Sequence, residues 1–153
     1  RVARFSLLVC DLDGFKGIND RYGHLKGNQV LQEVAGVLKD NCHLNDYVAR
    51  MGGDEFVMIA HEVHPNTDNL VRVLVSAIEK VGRRLCGDST LSASIGYAVA
   101  SGAGCAPEEL LAAADKRMYS IKEGRRNTSG LAALLGQVRG EGTEGKPATT
   151  LLQ

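Results

Sequence analysis

The chain has 153 residues, of which 44% are hydrophobic, as expected of a single domain with its own core. Lysine plus arginine number 18 and aspartate plus glutamate also number 18, so the formal net charge is zero. A duplex nucleic-acid binder usually carries a basic excess, so no nucleic-acid partner is predicted. No apolar run approaches the roughly 18 residues of a membrane span, so no membrane segment is predicted either.

The four cysteines are scattered along the chain and form no C-x-x-C pair. This usage favours reduced thiols over a disulfide framework or a zinc site. We therefore predict a cytoplasmic domain, either free or within a larger signalling protein. The abrupt start at "RVARFSLLV" suggests a fragment.

The first half of the chain predicts a strand, a helix and a hairpin. "FSLLVCD" (Phe5 to Asp11) is a continuous apolar run, typical of a buried central strand. A segment rich in Gly, Asp and Asn follows and predicts short turns. From Asn28 the apolar residues recur at helical spacing. "DYVARM" and "EFVMIA" then predict two strands joined through Gly52 and Gly53.

The second half predicts a helix over about Thr67 to Leu85, a strand in "STLSASIGYAVA" and a helix opened by Pro107. The first six elements give the split β-α-β-β-α-β order of ferredoxin-like folds, an α+β class. After Asn127 the composition becomes Gly- and Thr-rich. The predicted domain covers residues 1–129, and residues 130–153 are predicted to be a Gly-rich linker or a disordered tail.

This topology predicts a cluster of acids at one sheet edge. In a split β-α-β-β-α-β sheet the third strand lies antiparallel beside the first, so the end of one meets the start of the other. Asp11 and Asp13 end the first strand, and Asp54 and Glu55 open the third. Clustered carboxylates repel one another unless a cation lies among them, and their hard oxygen atoms select Mg²⁺ or Mn²⁺.

Four motifs carry a resemblance to a known family, in this order: "CDLDGFKGINDRYGHLKGNQVL", "ARMGGDEFVMIA", "SASIGYA" and "ADKRMYSIKEGRRN". From roughly Phe5 to Asn127 the chain resembles the GGDEF-domain diguanylate cyclases of bacteria. The resemblance implies a palm-type fold similar to class III nucleotide cyclases. It also implies that two GTP molecules are joined into cyclic di-GMP, with release of two pyrophosphates, in a two-fold homodimer.

The resemblance implies roles for individual residues around the metal. Asp11 and Asp54 would hold Mg²⁺ or Mn²⁺, with help from the Leu12 carbonyl. Glu55 would complete this metal site or help to deprotonate the attacking 3′-hydroxyl. Lys122 and Arg126 would neutralise the triphosphate from the third helix.

The resemblance also implies a nucleotide-binding surface. Gly52 and Gly53 would make room for GTP. The backbone amides near Gly14, Phe15 and Lys16 would bind its β- and γ-phosphates. Asn19 would hydrogen-bond guanine, and Asn28 occupies a second guanine-reading position.

The chain departs from the family pattern at Asn28, where the family carries Asp. An amide offers guanine one acceptor and one mismatched donor, and a buried mismatch costs about 1–3 kcal/mol. Since Asn also matches the edge of adenine, relaxed base selectivity and a mixed cyclic GMP–AMP product form one alternative.

A second departure lies at His43, where many members carry the Arg of an inhibitory R-x-x-D site. Asp46 remains, but a neutral imidazole cannot replace a guanidinium fork, so we predict weak product inhibition. The family's usual N-terminal helix precedes the point at which this chain starts. A further alternative is therefore a catalytically impaired module that binds GTP or a partner and regulates an adjoining domain, such as a phosphodiesterase.

Overall fold

The computed structural model describes residues 4–61, 66–101 and 106–141. The chain divides into two compact units, Arg1–Lys122 and Glu123–Gln153. All contacts described below belong to the first unit. Within the described ranges, no helix is both long and apolar enough to cross a membrane.

Four strands form one antiparallel sheet. They are β1 (Arg4–Asp13), β2 (Tyr47–Gly52), β3 (Glu55–His61) and β4 (Ser92–Ser101), in the spatial order β2-β3-β1-β4. The central strand β1 pairs antiparallel with β3 on one side and with β4 on the other. This order confirms the predicted ferredoxin-like sheet and the predicted hairpin.

The described residues also form four helices: α1 (Phe15–Tyr22), α2 (His24–Asp40), α3 (Thr67–Cys86) and α4 (Pro107–Glu141). The prediction of short turns after β1 was wrong, because α1 occupies that segment and α2 begins before Asn28. Gly23, at φ 89°, separates the two helices. The glycine and polar residues of α1 give only a weak helical signal in the sequence. Phe15 and Ile18 lie one turn apart and are both buried.

The sheet is covered on both faces, which explains why β1 reads as a continuous apolar run. Leu8, Cys10 and Leu12 pack with residues of α1, α2 and α3 in the larger core. Leu7 and Val9 point to the opposite face and pack with α4 residues such as Met118 in a smaller core. The period of two along β1 divides its side chains between these two cores.

The last helix begins at Pro107, as predicted, with Glu108 and Glu109 in its first turn, where they favourably meet the positive end of the helix dipole. It continues to Glu141, beyond the predicted domain boundary at residue 129. Residues 130–141 are therefore helical, whereas their composition predicted a linker or a disordered tail. The boundary itself stays a prediction, and residues 142–153 lie outside the described ranges.

Candidate active site

The strand register brings together the acids that the sequence placed at one sheet edge. Asp11 is directly opposite Glu55 in the β1–β3 ladder. The Leu12 amide donates a hydrogen bond to the Asp54 carbonyl at 3.1 Å, which ties the hairpin to the end of β1. The predicted meeting of these strand ends is confirmed.

The hairpin between β2 and β3 depends on its two glycines. Gly52 has φ 142° and Gly53 has φ 53°, a backbone that other residues adopt only with strain. No heavy atom lies within 4 Å of a Cβ built at either position, so the turn faces open space. Arg50 Nε donates to the Gly53 carbonyl at 2.9 Å and braces the turn. The hairpin thus leaves room beside the carboxylates.

Lys122 joins the acids from the α4 side. Its Nζ lies 2.9 Å from Asp11 Oδ2 and 3.5 Å from Asp13 Oδ1. Ser94 Oγ, on β4, donates to Asp13 Oδ2 at 2.8 Å and fixes that carboxylate. Because Ser94 is fully buried, this bond is shielded from water. The family resemblance implied that Lys122 binds the triphosphate. Its ion pairs with Asp11 and Asp13 could not be inferred from the sequence.

The electrostatics of the site show mutual repulsion among the acids. Burial raises the pKa of Asp54, and the charge of Asp11 raises it further. Burial also raises the pKa of Glu55, with Asp115 as the largest charge contribution. Burial alone would lower the pKa of Lys122, but its hydrogen bond to Asp11 and the nearby acids raise it overall. Asp115 lies two helical turns before Lys122 on α4, and the sequence analysis did not identify it as part of the site.

One carboxylate oxygen at this site is of the kind that hard divalent cations prefer. Among the described residues, Asp11 Oδ1 is buried and accepts no hydrogen bond. Such an oxygen is costly to bury unless a cation or donor meets it. In the described part of the chain, no three His, Cys, Asp or Glu side chains converge closely enough to ligate one ion. Lys122 instead neutralises part of this charge.

The start of α1 presents backbone donors next to these acids. Gly14 is its N-cap and provides no side-chain cap, so the first amide groups of the helix have no capping partner. Helix N-termini of this kind bind phosphates. The Phe15 side chain is buried in the core, so only its amide remains for a ligand, while Lys16 is exposed.

Asn28 lies on a cleft of about 400 Å³ between α2 and the β2–β3 hairpin. Apolar walls are formed by residues such as Leu31 and Phe56. Gln32 lines the same cleft one turn beyond Asn28, a position that the i, i+4 spacing could have indicated. Asn19 is half-buried near the end of α1. The predicted base-reading residues thus lie on adjacent helices.

The predicted inhibitory residues differ sharply in exposure. His43 is exposed, whereas the Asp46 side chain is fully buried. Asp46 Oδ2 accepts from the His43 amide at 2.9 Å, and Oδ1 accepts from the His61 amide at 2.9 Å. The carboxylate therefore joins the β2 entry to the end of β3. Weak product inhibition stays a prediction, and Arg126 is outside the residues with described side chains.

The model of the family described as "Diguanylate cyclase, GGDEF domain" matches residues 1–128 of the chain. The chain belongs to the GGDEF domain family. The signature of this GGDEF domain runs from Gly52 to Phe56, across the β2–β3 turn and into the start of β3.

Similar proteins extend this comparison. MucR of Pseudomonas aeruginosa, a bifunctional diguanylate cyclase/cyclic di-GMP phosphodiesterase, is 41% identical over 125 residues, which cover 81% of this chain and 18% of MucR. The diguanylate cyclase DosC of Escherichia coli K12 is 38% identical over 127 residues, covering 80% of this chain and 27% of DosC. The chain therefore spans less than a third of either relative.

A solved structure gives the same fold. A microbial GGDEF domain reported in its interaction with cyclic di-GMP has a TM-score of 0.67 and 33% identity. The alignment covers 80% of this chain and 74% of that one. The palm-type assignment made from the sequence is confirmed at the level of the fold.

Proposed function

We propose that this GGDEF domain is a diguanylate cyclase that condenses two GTP molecules into cyclic di-GMP. In each of two steps a 3′-oxygen attacks an α-phosphorus, a phosphodiester bond forms, and pyrophosphate leaves. The observation that carries the proposal is the meeting of Asp11 with Glu55 and Lys122 where β1 ends and β3 begins, with a buried Asp11 oxygen that accepts no hydrogen bond.

The acids have separate roles in this proposal. Asp11 and Asp54 would hold Mg²⁺ or Mn²⁺, with the Leu12 carbonyl as a further ligand. Such an ion would lower the pKa of the attacking hydroxyl and neutralise charge on the phosphates. Glu55 either completes the ligand set or accepts the proton of the 3′-hydroxyl.

The remaining residues bind the nucleotide. The amides of Phe15 and Lys16 at the α1 N-terminus bind the β- and γ-phosphates. Lys122 moves from its acids to the triphosphate, where it stabilises the charge that develops on the leaving group. Arg126 adds a second cation there. Asn19 and Asn28 hydrogen-bond the base, and the open Gly52–Gly53 turn admits it.

A two-fold homodimer is part of the proposal. One site holds one GTP, so joining two nucleotides requires two protomers face to face. Such an arrangement fixes the attacking oxygen near the second α-phosphorus, and orientation of this kind accelerates reactions by several orders of magnitude. Dimerisation in the full-length protein would then control the rate.

The test is cyclic dinucleotide formation from GTP by the full-length protein with Mg²⁺ or Mn²⁺, compared with Asp54→Ala. Glu109→Gln, an exposed acid at the start of α4, serves as the matched control. We expect turnover in the wild type and the control and none in Asp54→Ala. Turnover that survives Asp54→Ala would refute the proposed mechanism.

A second candidate is a non-catalytic GGDEF module that binds GTP and regulates an adjoining domain. It is favoured by the small share of MucR that the chain spans, because MucR also carries a phosphodiesterase function. GTP binding without cyclic dinucleotide formation, together with GTP-dependent activity of the neighbouring domain, would support this candidate instead.

Asn28 favours a variant of the first candidate in which the product is mixed cyclic GMP–AMP. Its amide lies on the cleft beside Gln32, so two amides and no carboxylate line this wall. Amides match adenine as well as guanine. Incubation with equal GTP and ATP, followed by product analysis, tests this variant; cyclic di-GMP as the sole product would exclude it.

A further inference from the structure

Gly27 is a buried glycine inside α2, next in the chain to Asn28. A Cβ atom built on Gly27 would overlap Asn19 Oδ1 and would lie 2.9 Å from Asn19 Cγ. It would also lie 3.4 Å from Phe15 Cζ. The space that a side chain of residue 27 would fill is therefore already occupied by the side-chain amide of Asn19.

The backbone around this contact is fixed by the junction of α1 and α2. The Gly23 amide donates to the Asn19 carbonyl at 2.9 Å, and the Gly27 amide donates to the Gly23 carbonyl at 3.1 Å. Phe15 is packed in the larger core and limits the same space from the other side. These bonds fix the backbone of Asn19. The conformations open to its side-chain amide then depend on the space left at position 27.

Glycine is otherwise a poor choice in the middle of a helix. It lowers helix stability by roughly 0.5–1 kcal/mol relative to alanine. Gly36, in the same helix, shows the contrast, because a Cβ built there would meet no atom within 4 Å. Gly27 has a helical backbone with no positive φ that would require glycine. The nearest atoms to a Cβ at Gly27, among the described residues, belong to the side-chain amide of Asn19 and the Phe15 ring.

We infer that Gly27 is a positioning residue for base recognition: the space above its Cα holds the Asn19 amide in the orientation that reads the base. This inference rests on the proposed function, in which Asn19 contacts guanine. Gly27 is in contact with the Asn19 amide and precedes Asn28 in the chain, so it adjoins both residues proposed to read the base. A single residue thereby fixes one amide while the next residue supplies the other.

The contact predicts that function and stability respond differently to Gly27→Ala. The obstructing atoms form the end of a short flexible side chain, so the amide of Asn19 can rotate away while the backbone stays in place. The gain in helix propensity offsets part of the disturbance. We therefore expect a folded protein whose Asn19 amide is misplaced, rather than an unfolded one.

The experiment measures the affinities of GTP and ATP for the full chain and for Gly27→Ala, Asn19→Ala and the double variant. Gly36→Ala is the matched control. We expect Gly27→Ala to lower the ratio of GTP to ATP affinity about tenfold, as expected for one lost hydrogen bond to a base. Asn19→Ala should give the same loss, the double variant no further loss, and Gly36→Ala none.

A purely structural role for Gly27 makes different predictions. It would lower the melting temperature and weaken both nucleotides equally, leaving the ratio unchanged, and that result would overturn the inference. Should Gly27→Ala fail to fold, Asn19→Gln tests the same space from the other side. Its amide is one methylene too long for the niche, so a wild-type ratio in Asn19→Gln would also overturn the inference.

The inference and the proposed function can fail separately. If the wild type does not bind GTP, the proposed function fails and base recognition by Asn19 fails with it. If the wild type binds GTP and Gly27→Ala keeps the wild-type ratio of GTP to ATP affinity, only the inference fails. The side-chain amide signals of Asn19 in an NMR spectrum report its position independently, and they should shift in Gly27→Ala but not in Gly36→Ala.

Discussion

Lys122 Nζ lies 2.9 Å from Asp11 Oδ2, so a lysine of α4 neutralises the acid that ends β1. The two side chains are only 17% and 15% exposed, which shields their ion pair from water. Asp13 lies 3.5 Å from the same ammonium group. We therefore expect Lys122 to compete with a divalent cation for these carboxylates when no nucleotide is bound.

This competition predicts that Lys122→Met binds Mn²⁺ more tightly than the wild type does in the absence of nucleotide. Removal of a partly buried ion-pair partner worth about 1 kcal/mol should raise the affinity about fivefold. A calorimetric Mn²⁺ titration measures the change. Lys116→Met, which removes an exposed lysine of the same helix, should leave the affinity unaltered. Equal or weaker binding by Lys122→Met would show that the lysine does not compete.

Asp54→Asn should raise the melting temperature in metal-free buffer while it abolishes turnover. Burial and Asp11 raise the pKa of Asp54, so its ionised form is less favoured in the folded than in the unfolded chain. At pH 7 this carboxylate therefore costs stability, and a neutral amide removes the cost. Asp54 is a metal ligand in the proposed function, so its loss should lower activity by more than about 100-fold, the upper effect of losing an outer partner.

Saturating Mn²⁺ should reverse the order of these melting temperatures. The ion stabilises a native state that binds it, so the wild type gains and Asp54→Asn does not. Thermal unfolding with and without Mn²⁺ measures both effects, with Glu109→Gln as the control. An Asp54→Asn variant that is less stable than the wild type in metal-free buffer would contradict the repulsion described here.

Asp46→Ala should lower the free energy of unfolding by about 2–4 kcal/mol, because the buried carboxylate accepts hydrogen bonds from two backbone amides. Asp46→Asn should lose less, since its amide oxygen still accepts from one of them. Urea denaturation measures these values. His43→Ala is the control, because it keeps the backbone amide that donates to Asp46. Equal stability of Asp46→Ala and His43→Ala would show that the contacts contribute little.

Much of the site follows from strand order, which hydrophobic patterning and turn residues determine. The Gly52–Gly53 turn fixes β3 against β2, and the side-chain period of two leaves one register that buries both faces of β1. This register places Asp11 opposite Glu55. The ion pair between Lys122 and Asp11 depends on how α4 packs over the sheet, which no local pattern specifies. The α1 helix escaped prediction because only Phe15 and Ile18 mark its buried side.

Asn28→Asp should raise GTP affinity about tenfold and raise the ratio of GTP to ATP affinity. A carboxylate accepts from the donor edge of guanine, whereas the present amide opposes it with a donor of its own. Equilibrium binding of both nucleotides measures the change. Gln32→Glu adds the same charge to the same cleft and should only weaken both nucleotides through repulsion of their phosphates. An equal response of the two variants would mean that position 28 does not read the base.

Asp88 links the helix that carries Asn19 to the end of α3, and its contribution should depend on pH. Tyr22 OH, at the end of α1, donates to Asp88 Oδ2 at 2.7 Å, and the Thr90 amide donates to Oδ1 at 3.0 Å. The bond from the Thr90 backbone, and then the bond from Tyr22, lower the pKa of Asp88. A carboxyl group whose pKa is lowered in the folded state stabilises the fold at pH values above its unfolded-state pKa of about 3.9.

The stabilisation is lost as the pH falls through the lowered pKa of the folded state, where Asp88 becomes protonated. Asp88→Asn should therefore melt below the wild type at pH 6, and the gap should shrink as the pH falls from about 4 towards 2. Thermal unfolding across this range measures the gap. Tyr22→Phe removes the phenol bond but keeps the carboxylate and its Thr90 bond, so it should retain part of the pH dependence. A gap of constant size at every pH would show that the charge of Asp88 contributes nothing and that only its shape does.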